Sequence, residues 1–267
     1  MRWGARAGYA ARGMVYLIVG GFAVLAAIGS TDAQDTQGAL KQLFHQPLGG
    51  VLLAIVGLGL LAFALWRFAQ ALGDVDNHGL DAKGLLIRFS LFCSGLIHLA
   101  LAVFAATIVV TLDTSSGGGG SDPTSGWLGW LFGQGWGRWV ALALSLVPVG
   151  IGIAHIVKGW KAGYDKYLRL DDSASRLVRP ICSFGLIARG AIFIVIGILA
   201  FYGGGIYDAQ SAPGLEDALS YIQDLPFGAI LLFVTAIGLV AFAAYCFIEA
   251  AFRRIAVEEI VPANDFG

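Results

Sequence analysis

GYAARGMVYLIVG occupies residues 8–20, and GLIARGAIFIVIG occupies residues 185–197. Gly8, Ala11, Arg12, Gly13, Tyr16 and Gly20 of the first stretch fall on Gly185, Ala188, Arg189, Gly190, Phe193 and Gly197 of the second. The first stretch, with its basic start, has the look of a leader, but the same pattern recurs deep in the chain, so it is expected to be a structural unit. The match extends outward to a second pair of apolar stretches. Pro47, Gly49, Leu53, Gly59, Phe63, Trp66 and Ala71 align with Pro226, Gly228, Leu232, Gly238, Phe242, Tyr245 and Ala250. A weaker copy fits between them: Ser94, Gly95, His98 and Ala102 take the places of Arg12, Gly13, Tyr16 and Gly20, and Gly137 that of Gly49. The expected organisation is therefore three tandem two-helix repeats, over residues 1–78, 79–166 and 167–256, followed by a tail at 257–267.

Each half-repeat is long and apolar enough to cross a bilayer, whose hydrocarbon core takes about 20 residues of helix. The six blocks run over roughly 8–29, 50–72, 88–112, 138–158, 181–203 and 228–252. None shows the alternation of a barrel strand. The fold expected is all-α: a polytopic membrane protein of six transmembrane helices. Because each repeat holds an even number of spans, successive copies share one orientation. Rotation about an axis along the membrane normal then relates them, in a pseudo-threefold arrangement. Pro148 falls inside the fourth block, where a mild kink is expected.

Charge gives the expected orientation. With the amino terminus inside, 15 of the 17 lysines and arginines fall at the cytoplasmic face, leaving Lys41 and Arg138 outside. This is the bias of inner-membrane proteins, and it places both termini in the cytoplasm. The outer loops of the first and third repeats carry short helical patterns, Ala39-Leu40-Leu43 and Leu215-Ala218-Leu219-Ile222, each ended by a proline. They read as helices lying in the headgroup region. The middle outer loop, SSGGGGSDPTSG at 115–126, reads as flexible linker, with Trp127, Trp130, Trp136 and Trp139 following as an aromatic belt.

Composition agrees. The chain is 57% hydrophobic and 13% charged, against about 25% charged residues in soluble domains. Its net charge is −1, which points to no nucleic-acid partner. The cysteines Cys93, Cys182 and Cys246 fall in separate apolar blocks with no CxxC, and read as small buried hydrophobes.

The two Ala-Arg-Gly motifs (residues 11–13 and 188–190), the Gly38-Ala39-Leu40…Pro47-x-Gly49 hairpin loop and the threefold repeat together resemble the bacterial membrane family catalogued as domain of unknown function 1206. The resemblance covers essentially the whole chain, though the middle copy lacks the arginine and carries a glycine-rich insertion. It implies six helices in a bacterial membrane and no established activity.

Ionisable residues inside spans are the functional candidates, since each costs some 2.5–3.5 kcal/mol or more at the bilayer centre. Arg12 and Arg189 lie one to two turns in from the cytoplasmic ends of their helices. They are candidates to bind a lipid phosphate or another anion, against a purely structural role by snorkelling and ion pairing. Glu249 aligns with Lys158 and Gln70 in a layer at the same level, and is expected to pair with Arg12 or Arg189 and close the ring of hairpins. His98 and His155, on consecutive helices, bring a bis-histidine haem into consideration. At 1.5 Å per residue, His98 lies about 15 Å from its helix end and His155 only one turn from its own. The two miss a common depth, which favours packed interface histidines.

The sequence carries no HExxH, GxSxG, Walker loop or zinc-ligand spacing. No cofactor, metal or catalytic group is expected, and the protein is read as non-enzymatic. The favoured class is a scaffold or lipid- and anion-binding membrane module, with membrane lipids as partners and a membrane-protein partner or homo-oligomer allowed. The alternative is a small channel or transporter along the pseudo-threefold axis. The absence of a mid-bilayer carboxylate counts against a proton-coupled transporter.

Overall fold

A computed structural model describes residues 2–30, 34–112, 114, 136–169, 172–206 and 215–253. The glycine-rich loop 115–126, Trp127, Trp130 and the tail 257–267 lie outside the described residues. Six long helices carry the fold: α1 (Arg2–Ala27), α3 (Gly49–Gly73), α4 (Ala82–Thr111), α5 (Gly137–Trp160), α6 (Asp172–Ile206) and α8 (Gly228–Phe252). Two short helices, α2 (Thr36–Phe44) and α7 (Leu215–Asp224), sit in the hairpin loops of the first and third repeats. All six long helices are apolar enough to cross a membrane, and Leu58, Leu65, Phe89, Ile97, Leu146 and Ile153 stand exposed on their outer faces. A surface of that kind is solvated by hydrocarbon, so the protein is a multi-pass membrane protein.

Local chemistry places the helix starts. Asp35 and Asp81 cap α2 and α4 by accepting from the backbone N–H of Gly38 (2.7 Å) and Gly84 (2.9 Å). The turn into the second helix of a repeat is the same in the first and third copies. Leu48 (φ 60°) and Phe227 (φ 63°) are left-handed, each followed by a glycine. A methyl group at Gly49 would stand 2.0 Å from the Phe44 carbonyl oxygen, and one at Gly228 1.9 Å from that of Gln223. Only glycine fits there, which explains the repeated Pro-x-Gly.

The short helices do not lie on the headgroups as their amphipathic patterns predict. Their apolar faces turn inward: Ala39, Leu40, Ala218 and Leu219 are fully buried and join one core with Val19, Ala23, Leu53, Leu60, Leu232 and Leu239. A helix over a bundle end buries its apolar stripe against protein more completely than in the interface. One end of the bundle is thus capped and apolar; the other, where α1 begins and α8 ends, is basic.

Around the bundle the long helices pack in the order α4, α3, α1, α8, α6, α5. Between repeats the seams are equivalent. A methyl group at Gly13 would stand 3.0 Å from the Phe247 ring, one at Gly95 2.7 Å from the Phe68 ring, and one at Gly190 2.7 Å from the Ile156 side chain. Continuing the sequence alignment without gaps, Phe68, Ile156 and Phe247 are the same position in three copies. The aromatic slots also match: His98 lies on Phe63 (centroids 4.6 Å) as Tyr16 lies on Phe242 (4.9 Å). The between-repeat seams therefore carry the pseudo-threefold relation, the weak middle copy included.

Within repeats the seams differ. In the first copy a methyl group at Gly59 would be 2.4 Å from the Ala11 Cβ, and one at Gly8 2.6 Å from the Phe63 backbone. In the third, Gly238 meets Ala188 and Gly185 meets the Phe242 backbone in the same way. Such small residues let helix backbones touch. The middle copy puts Ser90, Cys93, Val147 and Ile151 at these four positions. Val147 adds a branched side chain where the other copies have bare backbone, and α4 and α5 make no extended contact among the described residues. Among the described residues the ring of six helices is open at that seam.

Candidate anion site at the basic end

Five cations converge at the basic end: Arg12 (α1), Arg67 (α3), Lys158 (α5), Lys166 (the turn after α5, at the exposed rim) and Arg253 (just past α8). With Asp76, His78, Ile87, Leu91, His155, Leu186, Phe242, Tyr245 and Glu249 they line a cavity of about 280 Å³. Against the five cations stand two carboxylates, Asp76 and Glu249. Three positive charges are left without a local counter-ion.

The protein holds these cations with aromatic rings. The Arg12 guanidinium lies 5.0 Å from the Phe242 ring centre, 5.3 Å from Phe63 and 5.9 Å from Tyr16. Arg67 lies 4.7 Å from Phe63 and 5.9 Å from Tyr9. Lys158 donates to the Tyr245 hydroxyl at 3.1 Å. Each ring contact contributes about 0.5–2 kcal/mol, which offsets part of the cost of burial. Rings, however, accept no conventional hydrogen bond. Nε of Arg12, Arg67 and Arg253 is buried with no partner, and a buried unmade donor costs about 1–3 kcal/mol.

The expected pairing of Glu249 with Arg12 or Arg189 is replaced by another. Glu249 accepts from Arg253, one helical turn further along the same chain, and Arg253 also reaches Asp76 at 3.2 Å. A carboxylate takes the guanidinium at i+4 on its own face before reaching across a seam already filled by Phe242 and Tyr16. Asp76 in turn accepts from Gln70 at 2.6 Å. The layer of Gln70, Lys158 and Glu249 read from the alignment is thus present, but its ionic partners are Arg253 and Asp76. Burial opposes the charge on Arg253, yet Tyr9, Glu249 and Asp76 hold its guanidinium above the usual range.

Arg189 is brought to the same rings but not into the cavity lining. It lies 4.4 Å from Phe242, 4.8 Å from Tyr16 and 5.1 Å from Phe193, with Nε and one terminal nitrogen unpartnered. His98 and His155 are not brought together: His98 packs on Phe63 in the α3–α4 seam, and His155 lies 5.8 Å from Phe193 in the α5–α6 seam. Each imidazole Nδ1 hydrogen-bonds the carbonyl oxygen four residues back, of Ser94 and Ile151.

The wall around the cavity is anchored by loops. Asp74 accepts from the backbone N–H groups of His78 and Gly79, both at 2.8 Å, and these hold its carboxyl below the usual range, with Arg88 assisting. Arg88 caps the end of α3 through the carbonyls of Ala71 and Leu72. After α5, Leu168 bridges to Arg253, and the Arg169 N–H donates to the Phe252 carbonyl at 2.9 Å. Sequence reasoning did not single out Arg67, Arg253 or Asp76. Arg253 carried a signal, its i+4 spacing from Glu249; Asp76 carried none, because its partners lie 6 and 177 residues away.

Fold and site define a class: a multi-pass membrane protein of three tandem helical hairpins with a cationic cavity in one end. The chain belongs to the family described as Domain of Unknown Function (DUF1206), whose model matches residues 7–74, 89–162 and 184–253. The matched segments begin and end at equivalent positions of the three repeats. The protein is also similar to the "Uncharacterized protein YxxB" of Bacillus subtilis (strain 168), 27% identical over 260 residues that cover 95% of this chain and 92% of that one. No solved structure matches.

Proposed function

We propose that the protein is a non-catalytic membrane module that holds a phosphate-bearing anion, a lipid headgroup or a phosphorylated solute, in the cavity at its basic end. That end faces the cytosol of a bacterial plasma membrane, a placement supported by the distribution of lysine and arginine. The observation that carries the reading is a cavity lining of five cations against two carboxylates, with buried, unpartnered guanidinium nitrogens at Arg12, Arg67 and Arg253. A phosphate accepts several charged hydrogen bonds at once and is the natural complement of forked guanidinium donors. Basic pockets between membrane helices at the cytoplasmic face are the usual seat of anionic headgroups.

A pore along the axis fits less well, because the capped half is filled by apolar side chains such as Leu40, Leu53, Leu219 and Leu232. A bis-histidine cofactor would need His98 and His155 in one place, and they occupy separate seams.

The test is native mass spectrometry of the full chain extracted from its own membranes, with thermal unfolding in detergent against added inorganic phosphate. A retained phosphate-bearing species and a rise in Tm with phosphate are expected, both weakened about tenfold in apparent affinity by Arg12→Gln. A protein that retains no such species and whose Tm ignores phosphate would refute the reading.

A further inference from the structure

The cavity and the open seam are one feature. Its walls include Ile87 and Leu91 of α4 and His155 and Lys158 of α5, the two helices that fail to pack. The middle copy has lost the bulk that fills this place elsewhere. Ala154 stands where the outer copies have Trp66 and Tyr245, and Leu91 where the first copy has Tyr9, which accepts from Trp66 at 3.3 Å. Phe63 and Phe242 are fully buried in their closed seams, whereas the equivalent Ile151 is only half-buried and Val147 is 53% exposed.

We infer that the gap between α4 and α5 is a side portal through which a glycerophospholipid enters the cavity from the bilayer, its phosphate meeting Arg12, Arg67 and Lys158 and its acyl chains lying against α4 and α5. The inference rests on the anion reading above and names the source of the anion. Size sets how the lipid sits. A cavity of about 280 Å³ equals the space of roughly nine water molecules at ~30 Å³ each. It takes a headgroup and leaves no room for the chains, which must therefore lie outside. The outside on that side is apolar: Phe89, Leu146, Val147 and Ile153 are exposed along α4 and α5. At the other end, α2 and α7 lay buried leucines, Leu40 and Leu219, over the core of the first and third copies.

The experiment uses the full chain in vesicles containing phosphatidylglycerol with a diazirine in one acyl chain, irradiated and mapped by peptide mass spectrometry. Labelling of the α4 and α5 faces should exceed that of the closed α1–α3 and α6–α8 seams about tenfold, and Arg12→Gln should lower it about tenfold, as the loss of one charged donor does. A reversible block comes from bridging Cys93 to the thiol introduced by Val147→Cys with a cleavable bis-maleimide, which spans the parted helices. This pair is the equivalent of Ala11 and Gly59, and Cys182 and Cys246 are buried out of reach. The bridge should abolish seam labelling, cleavage should restore it, and the Tm response to inorganic phosphate should persist throughout. Equal labelling of all seams, labelling that survives the bridge, or labelling indifferent to Arg12→Gln overturns the portal. If the phosphate response holds while the seam stays unlabelled, only the portal falls. If the phosphate response is absent from the unbridged protein, the anion reading falls, and the portal with it.

Discussion

The outer hairpins and the middle hairpin share one backbone plan and differ at a handful of side chains. In the outer two, glycine and alanine face each other at the crossing, a phenylalanine fills the next layer, and a tryptophan or tyrosine fills the one after. In the middle one, those positions hold Val147, Cys93, Ile151 and Ala154, and the helices part. The comparison teaches that between-repeat seams can hold the middle hairpin in the bundle without a packed seam of its own. A repeat protein can therefore open one internal seam at little cost to the rest, and obtain a cavity by loss of side-chain volume in a single copy.

The comparison can be broken most severely by moving the middle copy's residues into an outer one. Trp66→Ala, which recreates Ala154 in the first repeat and strips Tyr9 of its donor, should cost about 3–5 kcal/mol, read as unfolding in a denaturing detergent series. Next is the buried ion pair. Glu249→Arg should be destabilising by about 3 kcal/mol or more, as loss of one buried partner is. Folded yield in the membrane should return when Arg253→Glu is added and not when Arg12→Glu is added; rescue by Arg12→Glu would restore the cross-seam pairing that the alignment suggested. Gly59→Val, copying Val147, should cost about 1–3 kcal/mol by overpacking, measured in the same series. The smallest effect belongs to the open seam itself. Val147→Ala should change stability by less than about 0.5 kcal/mol; a loss comparable to that of Gly59→Val would mean that α4 and α5 are packed after all.

Much of the fold was legible because membrane insertion leaves few options. The blocks around Arg12, Phe63, His98, Ile151, Arg189 and Phe242 are apolar over the full length of a span, and the helices found differ from them mainly by extra turns on the basic side. The Pro-x-Gly turns at 47–49 and 226–228 were legible as stops, and the left-handed residue between explains them. The site was legible in part. Arg12 stood out as an ionisable residue in a span, and the layer of Gln70, Lys158 and Glu249 emerged from the alignment. The partner of Glu249 was misassigned, because alignment ranks positions by depth and says nothing of which rotamer reaches which neighbour. For the short helices the pattern predicts a place in the headgroup region, because an amphipathic stripe looks the same whether it is covered by headgroups or by a bundle end.

By itself, the sequence determined that six apolar helices come as three copies of a pair and that cations gather at one end, since hydrocarbon and the repeat are written residue by residue. Only the tertiary structure decided that the middle pair stands open and that four distant segments place five cations around one hollow. Those outcomes depend on whether two backbones can touch and whether a void is left when they cannot, and both are properties of neighbours in space.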